Sequence, residues 1–455
     1  MIKINGRIYE FLKWCYPNLG VKRYFFLAVL GIFLVASGLA VMSYGETLGY
    51  LEASFREIIY AVTGKQPASV VPAGAIISII GVVTIYIGLK KMLNSVISVL
   101  LPDNEDKIVD VMYSRCQLRR GPRIVVVGGG TGLSALLSGL KKYTSNLTAI
   151  VTVTDDGGSS GRLRRELGVL PPGDIRNCLE ALSEKEDVMK EIFSYRFEEG
   201  TLSGHSIGNL FLAGMEEMCG DFQKGIEYVS KIFALRGEVY PSTLSQVTLE
   251  ASFEDGRLIK GETAIRTTPG KINHLTIIPQ NCESLPQALN AIEEADMIVL
   301  GPGSLYTSVL PNILVGGLKE KISMVKAPCV YVSNIMTEQG ETDDFTVSDH
   351  LRVIIKHCGE GLVDAVLGAR EIITEEVLQR YWLEGAIPVK IDSDHVEKLG
   401  AQYFEGSFYA GGEVIRHDSD MLAKELLRLL FKLKPVYERV ALIDTYLLSR
   451  KINTL

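Results

Sequence analysis

Two uninterrupted apolar runs open the chain, and a repeating alternation of short apolar and amphipathic segments follows. Tyr24 to Gly45 is 22 residues without a charge, and Gln66 to Leu89 is 24. An apolar helix of about 20 residues crosses a bilayer core of about 30 Å, so both runs read as transmembrane helices. The second run carries Pro67 and Pro72 and is expected to enter its helix near Ala73. From Arg123 onward, RIVVVGG reads as a buried strand, TGLSALLSGLKKY as a helix and LTAIVTVT as another strand. Such βαβ alternation implies an α/β fold, a mainly parallel sheet with helices on both faces. Residues 173–235 read as mainly helical, and residues 247–262 as a hairpin turning at Glu254-Asp255-Gly256. Ala295–Leu300 and Cys329–Val332 are two more buried strands, and residues 418–433 form a closing helix.

Charge divides the chain the same way. Residues 1–101 hold 9 basic and 4 acidic residues, and the remainder holds 38 basic and 50 acidic. Lys3, Arg7, Lys13, Lys22 and Arg23 precede the first run, and Lys90 and Lys91 follow the second. The positive-inside bias therefore places both ends in the cytoplasm of a cell membrane. This gives a cytoplasmic N-terminus at 1–23, spans at 24–45 and 66–89 and an external loop at 46–65. A juxtamembrane connector at 90–121 and a soluble domain at 122–455 complete the division. Two other readings fit less well. A cleaved leader ending near Gly38-Leu39-Ala40 has a shorter apolar stretch and no second span after it. Buried core helices are the other reading, which the length of both runs and their lack of a polar stripe disfavour. The connector begins with the amphipathic stretch KKMLNSVISVLLP and ends with Arg119, Arg120 and Pro122, a lipid-facing basic patch or a plain linker.

Mean hydropathy is +0.19, an excess that comes from the two runs. The acidic main body lacks the positive field that nonspecific nucleic-acid binding needs. Seven cysteines (15, 116, 178, 219, 282, 329, 358) are scattered and form no CxxC, which indicates a reducing compartment and no cysteine zinc site.

Four motifs carry candidate chemistry. Gly128-Gly129-Gly130-Thr131-Gly132 follows a strand and opens a helix, and Gly130, Gly132 and Ala135 satisfy G-x-G-x-x-A. There the backbone can approach a diphosphate, at a helix N-terminus rich in free N–H groups. The bland reading is a tight turn without a ligand. Thr154-Asp155-Asp156 lies just past the next strand, leading into Gly157-Gly158-Ser159-Ser160-Gly161-Arg162. Asp155 or Asp156 can take a ribose or hold Mg²⁺, with Ser159 and Ser160 as donors and Arg162, Arg164 and Arg165 as anion partners. Adjacent acids at a strand end point to opposite sides, so Asp155 is expected to face the ligand and Asp156 to stabilise the turn. The alternative is a solvated acidic loop.

Asp174 in PPGDIRN is placed to cap a helix, with Asn177 on its first turn aimed at the same cleft. Asn209 follows a glycine in the apolar NLFLAGM, and His205 reads as a structural histidine more readily than a catalytic base. Gly301, Gly303 and Ser304 make a second anion-receptive turn between strand and helix, and Asn334 ends the next strand at the same edge. No Ser–His–Asp set, HExxH or Walker lysine is visible, which leaves hydrolase, metalloprotease and P-loop readings without support.

Taken together, GGGTGLSALLSGLK, VTVTDDGGSSGRLRRELG, PPGDIRNCL, GHSIGNLFLAG, STLSQVTLEA, LGPGSLYTSVLPNILV and SNIMTEQGETDDFTVSDHL resemble the bacterial gluconeogenesis factors, which are related to the 2-phospho-L-lactate transferases. The resemblance covers about residues 122–434. It implies a Rossmann-like fold that binds nucleotide-linked compounds. In the transferase branch these are a guanosine diphospholactate and a deazaflavin, with Mg²⁺. In the gluconeogenesis-factor branch they are UDP-sugars, notably UDP-N-acetylglucosamine, and the role is support of cell shape and of growth on gluconeogenic carbon through cell-wall precursor supply. The run GGSSGRLRRELGVLPPGDIRNC matches the second branch better. The hairpin and the tail after Pro435 depart from the commonest form of the family, which is soluble.

The reading is thus a membrane-anchored cytoplasmic protein with a nucleotide-sugar ligand, no catalytic residue and no certain cofactor, Mg²⁺ being the one implied by the transferase branch. Its alternative is a Mg²⁺-dependent phospholactate-type transferase. A purely structural scaffold is the third. The residues name no protein partner and leave a homo-oligomer open.

Overall fold

The charge-free runs fold as long helices in the computed structural model, which describes residues 21–42, 49–64, 71–100, 116–370, 374–383, 385–409, 415 and 417–434. Cys15, most of the expected cytoplasmic N-terminus, part of the connector and the tail after Pro435 lie outside the described residues. The chain divides into two units, Met1–Ser114 and Arg115–Leu455.

In the first unit, α1 (Val21–Met42) and α3 (Val71–Leu100) flank α2 (Gly49–Thr63). Arg23–Met42 and Val71–Ser95 are long and apolar enough to cross a membrane. The two helices pack antiparallel along glycines spaced by seven, Gly31 and Gly38 against Gly81 and Gly74. A Cβ on Gly81 would lie 2.8 Å from the Gly31 carbonyl, and one on Gly74 2.7 Å from the Gly38 carbonyl, so only glycine permits this approach. Phe26, Phe33, Ile79 and Tyr86 point outward and are exposed. The hydroxyls of Ser78 and Thr84 donate to the carbonyls one turn back, at 3.0 and 2.7 Å, which satisfies them without water. α3 starts at Val71, with Pro72 in its first turn, and runs to Leu100. It absorbs the amphipathic stretch read as the start of the connector, because nothing after Leu89 breaks a helix before Pro102. The loop between the spans contains α2.

In the second unit seven strands form one parallel sheet in the order β10-β9-β8-β7-β1-β2-β3. They are β1 (Ile124–Gly128), β2 (Leu147–Val151), β3 (Glu238–Pro241), β7 (Met297–Leu300), β8 (Cys329–Val332), β9 (Ala365–Ala369) and β10 (Gln402–Gly406). Every residue of β1, β7 and β8 is buried, as sheets covered on both faces require. This is the α/β fold expected from the alternation, in the Rossmann-like form that the resemblance implies. The chain winds outward from β1 to β3, then leaves the sheet for three antiparallel strands, β4 (Thr248–Phe253), β5 (Leu258–Lys260) and β6 (Ile272–Ile278). The expected hairpin is β4–β5, turning at Gly256 with φ +85°. The chain re-enters the sheet at β7, on the other side of β1, and winds outward again. The strand order therefore reverses between β1 and β7, and the carboxyl ends of both open a crevice there.

Five helices matter for that crevice: α4 (Gly130–Leu140), α5 (Gly158–Leu167), α6 (Gly173–Leu182), α7 (Glu186–Ser194) and α8 (Ile207–Cys219). The short α9 (Glu262–Thr267) follows β5, and α10 (Ser419–Leu433) packs on α4 with Gly139 against the Ser419 carbonyl. The incoming connector is fastened at the opposite, amino edge. There Ser145 N donates to Leu118 O at 2.9 Å and Asn146 Nδ2 to Arg119 O at 2.9 Å.

Candidate functional site

Three strand-end turns enclose a pocket of about 890 Å³ at the reversal point. Its floor is the β1 turn. Gly130 holds φ +68°, and a Cβ on Gly132 would lie 2.7 Å from Pro302 O, so the turns after β1 and β7 interlock backbone to backbone. Asn312 Nδ2 ties the end of β1 from behind, donating to Gly128 O at 2.9 Å and Ser308 O at 2.7 Å. Thr131, Ser134, Ala135 and Ser138 continue the lining along one face of α4 at helical spacing. Gly303, Ser304, Thr307 and Ser308 form the facing wall, and Asn334 and Glu338 come from the loop after β8.

Of the residues singled out by sequence, Gly129, Gly130, Thr131, Gly132, Asp155, Asp174, Asn177, Gly303, Ser304 and Asn334 line this pocket. Asp174 does not cap its own helix; its carboxylate accepts the Gly130 N–H, which holds the glycine turn in place. Asp155 accepts Gly157 N at 2.9 Å. Ser304 donates to Glu341 and accepts from Thr307 Oγ1 at 2.8 Å.

The others sit elsewhere. Asp156 faces away and caps α9, accepting Thr263 N at 2.9 Å and Thr263 Oγ1 at 2.6 Å. Arg162 donates to Ser203 O, Arg164 to Val247 O, and Arg165 to Asp156 O. None of the three arginines lines the pocket. Ser160 is buried against Gly173, and Gly301 lies behind Gly303 and donates to Val127 O. Ser159 and Asn209 belong to a buried network. Asn209 Nδ2 donates to Ser159 Oγ at 3.1 Å, and Ser159 Oγ meets His205 Nδ1 at 2.9 Å. Arg176 joins this network to the site. It donates to Ser206 Oγ and Asn209 Oδ1 and, at 2.6 Å, to Asn177 Oδ1, so a buried guanidinium orients the pocket-lining Asn177.

The pocket is acidic, which the motifs did not announce. Asp155, Asp174, Glu180, Glu186, Glu262 and Glu338 line it against Lys190 and Arg266. Burial pushes Asp174 up to about 6, and the charge of Asp155 adds to that. Burial pushes Glu262 up to about 9, with Asp155 and Asp174 adding to it, although Thr154 Oγ1 donates to it at 3.2 Å. Glu338 and Glu341 are also raised, by burial first, and Glu341 raises Glu338 further. Near neutral pH Glu262 therefore holds its proton and offers an O–H donor. Among the described residues no group of three His, Cys, Asp or Glu is arranged to hold a metal ion. Mg²⁺ of the kind the transferase branch implies needs only one or two carboxylates beside a ligand's phosphates, and Asp155 lies in the pocket for that. His417 and Tyr381 complete the far wall, and the phenol of Tyr381 accepts Ile415 N at 2.8 Å.

Comparison with known proteins agrees with this anatomy. Residues 124–409 match the family described as 2-phospho-L-lactate transferase CofD. The "Gluconeogenesis factor" of Bacillus subtilis is 44% identical over 68% of this chain and 98% of its own length. A Nostoc sp. protein, provisionally given the same description, is 44% identical over 94% of both chains, a span long enough to take in most of the region with the apolar helices. A crystal structure of a Bacillus halodurans protein, 47% identical, superposes with a TM-score of 0.66 over 68% of this chain and 99% of that one. With the parallel sheet, the reversal-point pocket and these likenesses in hand, the chain belongs to the CofD family, among its gluconeogenesis factors.

Proposed function

We propose that the protein binds a nucleotide-diphospho-sugar of the UDP-N-acetylglucosamine class and, in response, regulates the supply of cell-wall precursors, and with it cell shape and growth on gluconeogenic carbon. The observation that carries this reading is the pocket formed by two glycine turns at the strand-order reversal, the place where open α/β sheets take nucleotides. Backbone N–H groups of Thr131 and Gly132 at the start of α4 would receive the diphosphate. Asn177 and Asn334, with the hydroxyls of Thr131, Ser134 and Ser308, supply neutral hydrogen bonds for sugar and base. The two apolar helices would tether this domain to the membrane with both termini in the cytoplasm.

A second reading, a phosphoryl-linked transferase, draws support from the family's printed description. Calorimetry of the full chain in nanodiscs against UDP-N-acetylglucosamine, GDP and NAD, with and without Mg²⁺, separates the two. The sensor reading expects saturable binding of the UDP-sugar, which is recovered intact. No binding of the UDP-sugar, or its turnover, refutes it.

A further inference from the structure

Helix α2 carries an apolar face. Ile58, Ile59 and Val62 recur at helical spacing and share one face. Arg56 and Glu57 fall outside that face, on either flank of the far side. This is an amphipathic helix, unlike its neighbours, which are apolar all round. Ile58 is 56% exposed and Val62 80% exposed. Length and connection decide what covers that face. Six residues separate α2 from Met42 and seven separate it from Val71. At no more than about 3.6 Å per residue, those links keep both ends of α2 within roughly 25 Å of the spans. The two spans meet there, since Gly74 packs against Met42. A 15-residue helix is about 22 Å long, so α2 fits lengthwise across that end of the hairpin.

We propose that α2 lies flat in the membrane–water interface on the side away from both termini, with Ile58 and Val62 seated among lipid glycerol and upper acyl groups. The partner is the lipid itself. The helix carries Arg56 against Glu52 and Glu57, so it binds by apolar burial and not by attraction to anionic headgroups. The spacing of apolar positions matches that mode, and the short links leave the face little room to reach anything else. The proposal rests on the reading of α1 and α3 as spans, so its test must fail separately from that reading.

The full chain has two tryptophans, Trp14 and Trp382, and replacing both with Phe clears the background. Single tryptophans are then introduced as Ile58→Trp, Val62→Trp, Glu57→Trp and Ile32→Trp, the last at an outward-facing position of α1 that is 59% exposed. The proteins are reconstituted in phosphatidylcholine vesicles containing lipids brominated either near the glycerol or near the chain end. Positions 58 and 62 are expected to emit at shorter wavelength and to be quenched severalfold more by shallow than by deep bromines. Position 57 should stay water-like and position 32 should be quenched by deep bromines. With position 32 quenched, equal behaviour at 57 and 58, or no quenching of 58 and 62, overturns the proposal; the second result points to a protein on that face. An unquenched tryptophan at 32 refutes the spanning reading and the proposal with it.

Discussion

A diphosphate held at the glycine turn would add negative charge beside Asp174, whose carboxylate already grips Gly130 N–H and sits near Asp155 and Glu262. Arg176, the nearest cation acting on it, is buried and committed to its own network. Asp174 titrates at about 6 rather than 3.8. A charge arriving about 5 Å away costs roughly 3 kcal/mol at an effective dielectric of about 20, or about 2 pKa units, so the bound state should titrate near 8. Binding then takes up a proton across this window. The sign follows from linkage: the complex holds the proton more tightly than the free protein, so affinity rises as pH falls. Between about pH 8 and pH 6 the gain is roughly 25-fold, on the order of magnitude these screened charges allow.

Asp174→Asn removes the charge and keeps an acceptor for Gly130 N–H. It should tighten binding by about 50-fold near pH 8 and only about 2-fold near pH 6, which flattens the profile. The assay is calorimetry of UDP-N-acetylglucosamine binding near pH 7, in buffers of different ionisation enthalpy, which reads proton uptake directly. A diphosphate diester keeps its own charge over this range, so any uptake belongs to the protein. Affinity independent of pH, or weaker binding by Asp174→Asn at every pH, would refute the reasoning and make Asp174 an acceptor for a ligand hydroxyl.

Glu262 is raised from 4.5 to about 9, so the folded state holds its proton more tightly than the unfolded chain, and the protein should lose stability as pH rises through that window. Glu262→Gln should therefore raise the melting temperature at about pH 8, flatten its pH slope and leave it little changed near pH 5; an unaltered slope would count against a buried, protonated Glu262. Gly130→Val forces a branched side chain onto φ +68° and should abolish ligand binding in calorimetry while circular dichroism stays native, whereas unchanged affinity would remove the turn from the site. An added cysteine at Ser54 in α2 should react with an impermeant maleimide from outside intact cells and one at Ser419 should not, and the opposite pattern reverses the orientation.

What could be read from the residues was what the backbone makes. The glycine turns after β1 and β7 were legible because a strand, a glycine run and a helix in that order place the turn at the carboxyl edge, whatever the side chains do. The pair Asp155-Asp156 was half legible: the two diverge as expected, one into the pocket and one to Thr263, but both lie beyond the end of β2, and Asp155, not Asp156, accepts the turn N–H of Gly157. Side-chain destinations were not. Arg162, Arg164 and Arg165 sit one turn from a glycine-rich loop, yet each long guanidinium reached a nearby carbonyl instead of the cleft. Glu262 was invisible for a different reason. Its place at the pocket depends on where the β4–β6 detour returns the chain, more than 100 residues after Asp155, and that return leaves no periodic trace. Glu338 lies in a quoted motif, but only the packing of the loop after β8 against Ser304 and Asn334 turns it inward. The acidity of the pocket is thus a tertiary property assembled from the loops after β2 and β8 and from α6, α7 and α9, and the proton dependence predicted for Asp174 follows from it.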